Sequence, residues 1–197
     1  MFKLQIFAIL IIASSSLAIQ GDTKPYCHEP KKYPNSLPLT QFDVDPAKFA
    51  GKWYDIATFS VSTAQAICMC SIGEYTLNDD GSLGIVNSCK VGFPWVAADF
   101  WVVGKGFTFD EHNNRFELYF QKPFKNKRPG SYFIMDLDPD YQWAVVGEPC
   151  RDNFWVLSRT LEMDEELLQS KLKFLEGAGY DMSKTQIRPR NRVCDKQ

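Results

Sequence analysis

Apolar and polar residues alternate with a period of two along several short segments of this chain. The clearest is 115–121, where Phe116, Leu118 and Phe120 share one face and polar side chains occupy the other. Such alternation predicts a β-strand with one buried face. Similar segments recur at short intervals and predict eight strands. These cover 53–59, 71–77, 82–89, 95–109, 115–121, 131–137, 141–147 and 154–159.

Short polar turns join these strands. The run Asn78-Asp-Asp-Gly81 lies between two strand-like segments, and Asp-Gly in that position is a strong hairpin signal. If Asp79 and Asp80 form the turn, Cys70 lies opposite Cys89. A different turn type or a bulge brings Cys68 there instead, and the sequence leaves both registers open.

The pattern changes to a helical period after the last strand. Residues 164–176 can begin at an Asp164 cap and end at Gly177 or Gly179. The apolar positions at helical spacing are Leu167, Leu168, Leu172 and Leu175. We expect this amphipathic helix to pack its apolar side on the outside of the sheet.

Eight strands joined by short turns predict an all-β fold, an eight-stranded up-and-down antiparallel barrel with one C-terminal helix packed outside. A two-sheet sandwich is the rival arrangement. A barrel of this size leaves room inside for side chains or one small ligand.

A short helical turn precedes the first strand. Asp45 is suited to cap it, Pro46 to begin it, and Gly51 to reverse the chain after it. Trp53, at the start of the strand, is placed either to plug one end of a closed sheet or to serve as an ordinary core aromatic.

The N-terminal residues predict export. Lys3 gives a basic start, residues 4–13 are almost wholly apolar, and small residues lead up to a cleavage site after Ala18. The apolar run is too short to span a bilayer. We expect a signal peptide at 1–18, a proline-rich arm at 19–41 and one domain at 42–197, in a secreted, extracellular protein.

Composition and charge exclude several classes of partner. The formal charge is −2, and it becomes −3 once Lys3 is removed, so no basic excess indicates nucleic acid. Aromatic residues make up 14% of the chain, which favours a folded core over disorder. No ligand spacing indicates a metal site, because His28 and His112 lie far from the Cys68-Met-Cys70 pair. We therefore expect no metal and no cofactor.

An even number of cysteines in an exported chain predicts disulfides, and six allow 15 pairings. The cysteines are Cys27, Cys68, Cys70, Cys89, Cys150 and Cys194. We expect one disulfide to hold the arm and another to tie back the polar tail.

Residues 122–130 form a basic loop. One interpretation is weak contact with an anionic membrane surface or a ligand head group, and the favoured one is a solvated turn.

Three motifs together resemble the lipocalin family. They are Gly51-Lys-Trp53, the run Asp138-Pro-Asp-Tyr-Gln-Trp-Ala-Val-Val146, and Leu157-Ser-Arg159 before the helix. Their order and spacing resemble apolipoprotein D and the bacterial outer-membrane lipocalins. The run from Cys68 to Leu77, with Cys89 following, also resembles plant chloroplast lipocalins.

The resemblance implies structural roles. Arg159 would stack on Trp53 and close the barrel floor next to Gly51. The apolipoprotein D pattern implies pairing of Cys27 with Cys150 and of Cys70 with Cys194, which leaves Cys68 for Cys89.

The family also implies an open-ended apolar pocket, and hence a carrier of a small hydrophobic ligand such as a fatty acid, lysolipid, retinoid, steroid or bilin. The alternation of side chains along the strands, placed in the family's register, predicts which residues point inward and contact the ligand. These are Phe100, Val102, Phe116, Leu118, Phe120, Tyr132, Ile134 and Trp155. Tyr132 would supply the polar contact.

We expect a binding protein rather than an enzyme, and a monomer or weak dimer. One alternative is a lipid-modifying enzyme on the same barrel, with Cys68 or Cys70 as the thiol if either is unpaired. Another is an interaction module whose cavity is filled by its own side chains.

Overall fold

Eight antiparallel strands pair in chain order and close on themselves in the computed structural model, which describes residues 42–60, 68–93, 96–122 and 130–188. The strands are β1 (Gly51–Ser60), β2 (Cys68–Leu77), β3 (Leu83–Phe93), β4 (Val96–Thr108), β5 (Arg115–Lys122), β6 (Gly130–Leu137), β7 (Trp143–Gly147) and β8 (Asn153–Ser158). Strand β1 pairs with both β2 and β8, which closes the barrel. The predicted up-and-down barrel is confirmed, and the sandwich is wrong.

A ninth strand lies outside the barrel. Strand β9 (Gln186–Ile187) pairs antiparallel with Ala57 and Thr58 of β1. It fits there because the β1–β2 ladder ends at the pair Tyr54 and Ile72, which leaves the rest of that β1 edge open. Two residues carry no periodic pattern, so the sequence did not predict this strand.

The register of β2 on β3 is set by a bulge. Leu77 pairs with Leu83 beside the turn, but the register shifts between Met69 and Ile72. Cys70 lies in this irregular stretch with φ of 51°. The shift places Cys68 within reach of Cys89, and these two form a disulfide with a Cα–Cα distance of 5.5 Å. Of the two cysteines that the sequence left open, Cys68 is therefore the one that bonds to Cys89, although its partner in the strand ladder is Val91.

The outer helix α2 (Glu165–Gly177) begins after Asp164, whose side chain accepts a hydrogen bond from the Leu167 N–H. Its buried side chains, Leu168 and Leu175, pack on the outward faces of β6 and β8, against residues such as Phe133 and Phe154. The predicted C-terminal helix outside the barrel is thus confirmed.

A lysine fixes α2 to the barrel. The Lys171 ammonium lies 3.0 Å from an Asp136 carboxylate oxygen and 3.7 Å from the centre of the Trp143 ring. Both partners belong to the barrel wall, so this contact adds charge and cation–π attraction to the apolar packing.

One end of the barrel is closed by α1 (Pro46–Phe49) and Trp53. Asp45 caps this helical turn by accepting hydrogen bonds from the Ala47 and Lys48 N–H groups. Trp53 is fully buried, and its indole N–H donates to the Phe49 carbonyl at 2.8 Å. Trp53 therefore plugs this end of the barrel, which was one of the two roles open from the sequence.

Arg159 seals the same end from below. Its guanidinium carbon lies 3.8 Å from the Trp53 ring centre. The same group donates to the carbonyls of Lys52, Ala50 and Tyr141, at 2.9, 2.9 and 3.1 Å. A planar fork with five donors fits this set of carbonyls.

Gly51 leaves room for Arg159. Its φ is 101°, and a Cβ there would lie 3.1 Å from an Arg159 nitrogen. Both conditions favour glycine at this position.

Strand β7 is shorter than predicted. It begins at Trp143 rather than at Tyr141, because Tyr141 has φ of 59° and its N–H donates to the Asp138 carbonyl in a turn. The Tyr141 hydroxyl accepts a hydrogen bond from the Asp45 N–H at 2.9 Å and so helps to hold α1.

Several predicted features lie outside the described residues. These are the signal peptide 1–18, the arm 19–41, Cys27, Cys194 and most of the basic loop 122–130. No helix in the described part of the chain is long and apolar enough to cross a membrane.

At the opposite end of the barrel wall, Glu148 is buried where β7 ends. Its side chain accepts a hydrogen bond from the Asn153 amide at 2.6 Å, and its carbonyl accepts one from the Tyr180 hydroxyl at 2.9 Å. Burial raises the pKa of Glu148 to about 7, because the Asn153 hydrogen bond offsets only part of the lost hydration.

We predict that Arg159→Lys lowers the free energy of unfolding by roughly 2 kcal/mol or more, because lysine keeps the charge but not the planar fork of donors. Urea denaturation of the purified protein measures this. The exposed Lys173→Arg change is the control and is expected to leave the midpoint unchanged. Equal midpoints for Arg159→Lys and the wild-type protein would contradict the proposed closure.

We predict that Glu148→Gln stabilises the protein at pH 8 by roughly 1–3 kcal/mol, since one pKa unit corresponds to about 1.4 kcal/mol. The folded pKa is raised, so the cost of ionising Glu148 grows as pH rises from about 4.5 to about 7 and is absent below that window. The gain should therefore vanish at pH 4. Thermal unfolding at both pH values, with Glu162→Gln as the exposed control, tests this. A gain of equal size at both pH values would contradict it.

Candidate functional site in the barrel interior

The inward faces of the strands form a continuous apolar wall above the Trp53 floor. Six of the eight predicted ligand-contact residues belong to this interior cluster. Phe116, Leu118, Tyr132 and Ile134 are buried in it, and Phe120 and Trp155 are partly buried against it. Alternation in β5, β6 and β8 therefore brings these side chains together.

Phe100 and Val102 lie further from the floor. They pair with Cys89 and Asn87, which continue the inward face of β3 beyond Ile85. Both are partly exposed, and neither belongs to the cluster at the floor. They therefore continue the interior wall away from the Trp53 floor.

Partial exposure of inward-facing aromatics indicates an accessible interior. Phe100, Phe120 and Trp155 all point into a closed barrel, yet solvent reaches part of each side chain. Towards the floor the side chains become fully buried, as for Ile134 and Trp53. Burial of the inward-facing side chains thus decreases from the Trp53 floor towards Phe100, Phe120 and Trp155.

Two glycines in β4 allow close packing on the inner wall. A Cβ at Gly104 would lie 2.6 Å from the Tyr119 carbonyl oxygen and 3.0 Å from the Phe120 ring. At Gly106 it would lie 3.1 Å from Leu118. Glycine at these two positions therefore permits the close approach of β5 to β4.

Two tyrosines supply polar atoms inside the apolar wall. The hydroxyls of Tyr75 and Tyr132 lie 3.0 Å apart, and both side chains are 7% exposed. The Tyr132 ring stacks on Trp155 at 6.2 Å. Burial is the main reason that the pKa of Tyr75 is raised to about 12 and that of Tyr132 well above its usual range. Both are therefore neutral donors at physiological pH.

Gly73 creates the space for this pair. A Cβ there would lie 3.0 Å from the Tyr75 hydroxyl and 3.1 Å from its ring. The Tyr75 side chain consequently lies over Gly73, and Gly73 in turn pairs with Trp53. Tyr75 was not among the predicted site residues, although its alternation with Gly73 in β2 was a signal that could have found it.

An acid–base pair also faces the interior. Asp55 pairs across β1 and β8 with Leu157, a member of the interior cluster, so its side chain points inward. Arg188 Nε lies 3.3 Å from Asp55 Oδ2. This pair was not predicted either, because the two residues are 133 positions apart and no local pattern links them.

The described cysteines provide no thiolate. Cys68 and Cys89 are joined to each other, and Cys70 and Cys150 are also disulfide-bonded. The partners that the resemblance implies for the last two, Cys194 and Cys27, lie outside the described residues. No cluster of three or more potential metal ligands occurs within the described ranges.

Comparison with known proteins identifies the family. The family model described as a lipocalin-like domain matches residues 44–190. Temperature-induced lipocalin-1 of Arabidopsis thaliana is 31% identical over 153 residues, which cover 73% of this chain and 78% of the plant protein. Outer membrane lipoprotein Blc of Escherichia coli (strain K12) is 31% identical over 143 residues, which cover 71% of this chain and 76% of the bacterial one.

Solved structures support the same fold. Apocrustacyanin C2 superposes with a TM-score of 0.56 at 15% identity, covering 82% of this chain and 95% of that one. The cockroach allergen Per a 4 superposes with a TM-score of 0.57 at 16% identity, covering 81% and 96%. The closed barrel, with its outer helix and its Trp53 floor, agrees with the family model that matches the sequence. The chain belongs to the lipocalin family.

Proposed function

We propose that this protein is a secreted carrier that binds a small hydrophobic molecule inside the barrel. Lipocalins generally bind small hydrophobic ligands. The observation that carries the proposal for this chain is the graded interior, closed at Trp53 and reachable from the other end past Phe100 and Val102.

The physical driving force is burial of apolar ligand surface, worth about 25 cal/mol for each Å² removed from water. The barrel supplies aromatic walls that are already ordered by their strand pairing, so little conformational freedom is lost on binding. We assign the wall contacts to the predicted inward residues. They are Phe100, Val102, Phe116, Leu118, Phe120, Tyr132, Ile134 and Trp155.

Disulfides support the proposed extracellular location. The Cys68–Cys89 bond and the bonded Cys70 and Cys150 require an oxidising compartment to form and persist. Together with the signal-like residues 1–18, they favour export of the folded chain.

The disulfides also weigh against the thiol-enzyme alternative. A nucleophilic thiolate needs a free cysteine, and the two cysteines considered for that role, Cys68 and Cys70, are both bonded. The proposal is therefore a binding protein rather than an enzyme.

Native mass spectrometry of the protein secreted by eukaryotic cells tests the proposal directly. We expect either a bound mass that leaves on denaturation, or binding of added apolar probes such as retinol, palmitic acid or a lysolipid. A folded protein that carries no ligand and binds none of these probes would overturn the carrier and favour a barrel filled by its own side chains.

We predict that Val102→Trp weakens binding of the apolar probe by roughly tenfold or more, because the indole fills the interior near its open end. Val103→Trp is the matched control, since residue 103 is adjacent on β4 and faces outward, paired with Val86. A fluorescence titration of both variants with retinol measures the effect. Equal affinities in two folded variants would contradict a ligand site in the interior.

A further inference from the structure

The barrel interior holds a carboxylate that an apolar wall does not require. Asp55 points inward from β1, and only 5% of its side chain is exposed. Burying a charge is costly unless it is paired and hydrogen-bonded. The partners of its two carboxylate oxygens therefore need to be identified.

Arg188 satisfies one of the two carboxylate oxygens. Its Nε lies 3.3 Å from Asp55 Oδ2, its Nη1 donates to the Cys68 carbonyl at 2.7 Å, and its main-chain N–H donates to the Ile56 carbonyl at 2.9 Å. The guanidinium thus spans β1 and β2 beyond the point where their ladder ends. It holds Asp55 in place and offsets its charge.

The other oxygen has no such partner. Asp55 Oδ1 is buried and accepts no hydrogen bond from any described residue. An unsatisfied buried acceptor costs about 1–3 kcal/mol, so few persist in folded proteins without a reason. Burial raises the pKa of Asp55 to about 6, against the opposing effect of Arg188, so the group is mainly ionised at pH 7.5.

The Tyr75 hydroxyl lies over Gly73, whose strand partner Trp53 is the inward-facing residue that precedes Asp55 on β1. Burial dominates the raised pKa values of Tyr75 and Tyr132, and the charge of Asp55 adds to both. Their mutual hydrogen bond uses one hydroxyl proton and leaves the other available to donate. The interior therefore offers one strong acceptor and one neutral donor in the same region.

We propose, on the basis of the proposed carrier function, that the ligand is an apolar molecule with a hydroxyl group, which donates to Asp55 Oδ1 and accepts from the Tyr75–Tyr132 pair. A hydroxyl is suited to both roles, because it carries one proton to donate and lone pairs that accept. A carboxylate ligand has no proton to donate and would place a second negative charge beside Asp55. An ether keeps the oxygen but has nothing to donate.

Three probes with one apolar skeleton test this: retinol, retinyl methyl ether and retinoic acid. We expect the wild-type protein at pH 7.5 to bind retinol about tenfold or more tightly than the ether or the acid. Neither the ether nor the acid can donate to Asp55 Oδ1, so both leave it unsatisfied. Fluorescence titrations give the dissociation constants. This comparison uses the unmodified chain and does not depend on how a variant folds.

Asp55→Asn is the matched variant, since it keeps the shape and removes the charge. We expect the preference for retinol over retinoic acid to shrink to about twofold or less, because the like-charge repulsion is lost. Asp136→Asn, at the Lys171 contact outside the barrel, is the control and should keep the wild-type preference.

Two results would overturn the inference and leave the carrier function standing. One is wild-type affinity for the ether or the acid equal to that for the alcohol. The other is binding of palmitic acid with no binding of retinol. Failure of every apolar probe would instead overturn the carrier function, and this inference with it.

Discussion

The contact between the Arg159 guanidinium and the Trp53 ring is the interaction on which the rest of the barrel depends. A closed sheet has two open ends, and a carrier needs one of them sealed. Trp53 fills the closed end, and Arg159 holds it from below at 3.8 Å while donating to the carbonyls of Ala50 just after α1, of Lys52 in β1 and of Tyr141 in the β6–β7 turn. The α1–β1 connection and the β6–β7 turn, which are distant in sequence, are thereby fixed by one planar group, which lysine could not replace.

This closure determines where polar groups can be tolerated. Near the floor the interior is closely packed, and its buried side chains are mainly aliphatic or aromatic, as at Ile134 and Phe116. Asp55 and the two tyrosines lie in the same interior, where each polar atom loses hydration without gaining a full set of partners. The protein keeps them there through Arg188, which reaches in from the C-terminal segment, and through Gly73, which makes room for Tyr75.

Period-two alternation was sufficient to predict the barrel and the inward face of β5, because each side chain there has only two possible directions. It could not predict β9, which is two residues long, nor the bulge at Cys70, which changes the register without a turn signal. Tyr141 was assigned to a strand because aromatic residues favour strands, but a positive φ and an Asp138 turn override that propensity. The Asp55–Arg188 pair depends on the closed barrel and the returning tail together, so it becomes visible only in three dimensions.

In the proposed site, affinity and selectivity come from different groups. Apolar contacts with Trp155, Phe120 and Val102 would stabilise any ligand in proportion to the area that they cover, and they discriminate poorly between molecules of similar shape. A buried acceptor without a partner discriminates strongly, because a ligand that cannot donate leaves its cost in place. Within an interior of otherwise interchangeable apolar contacts, Asp55 Oδ1 is therefore the atom best placed to decide which hydrophobic molecules are retained.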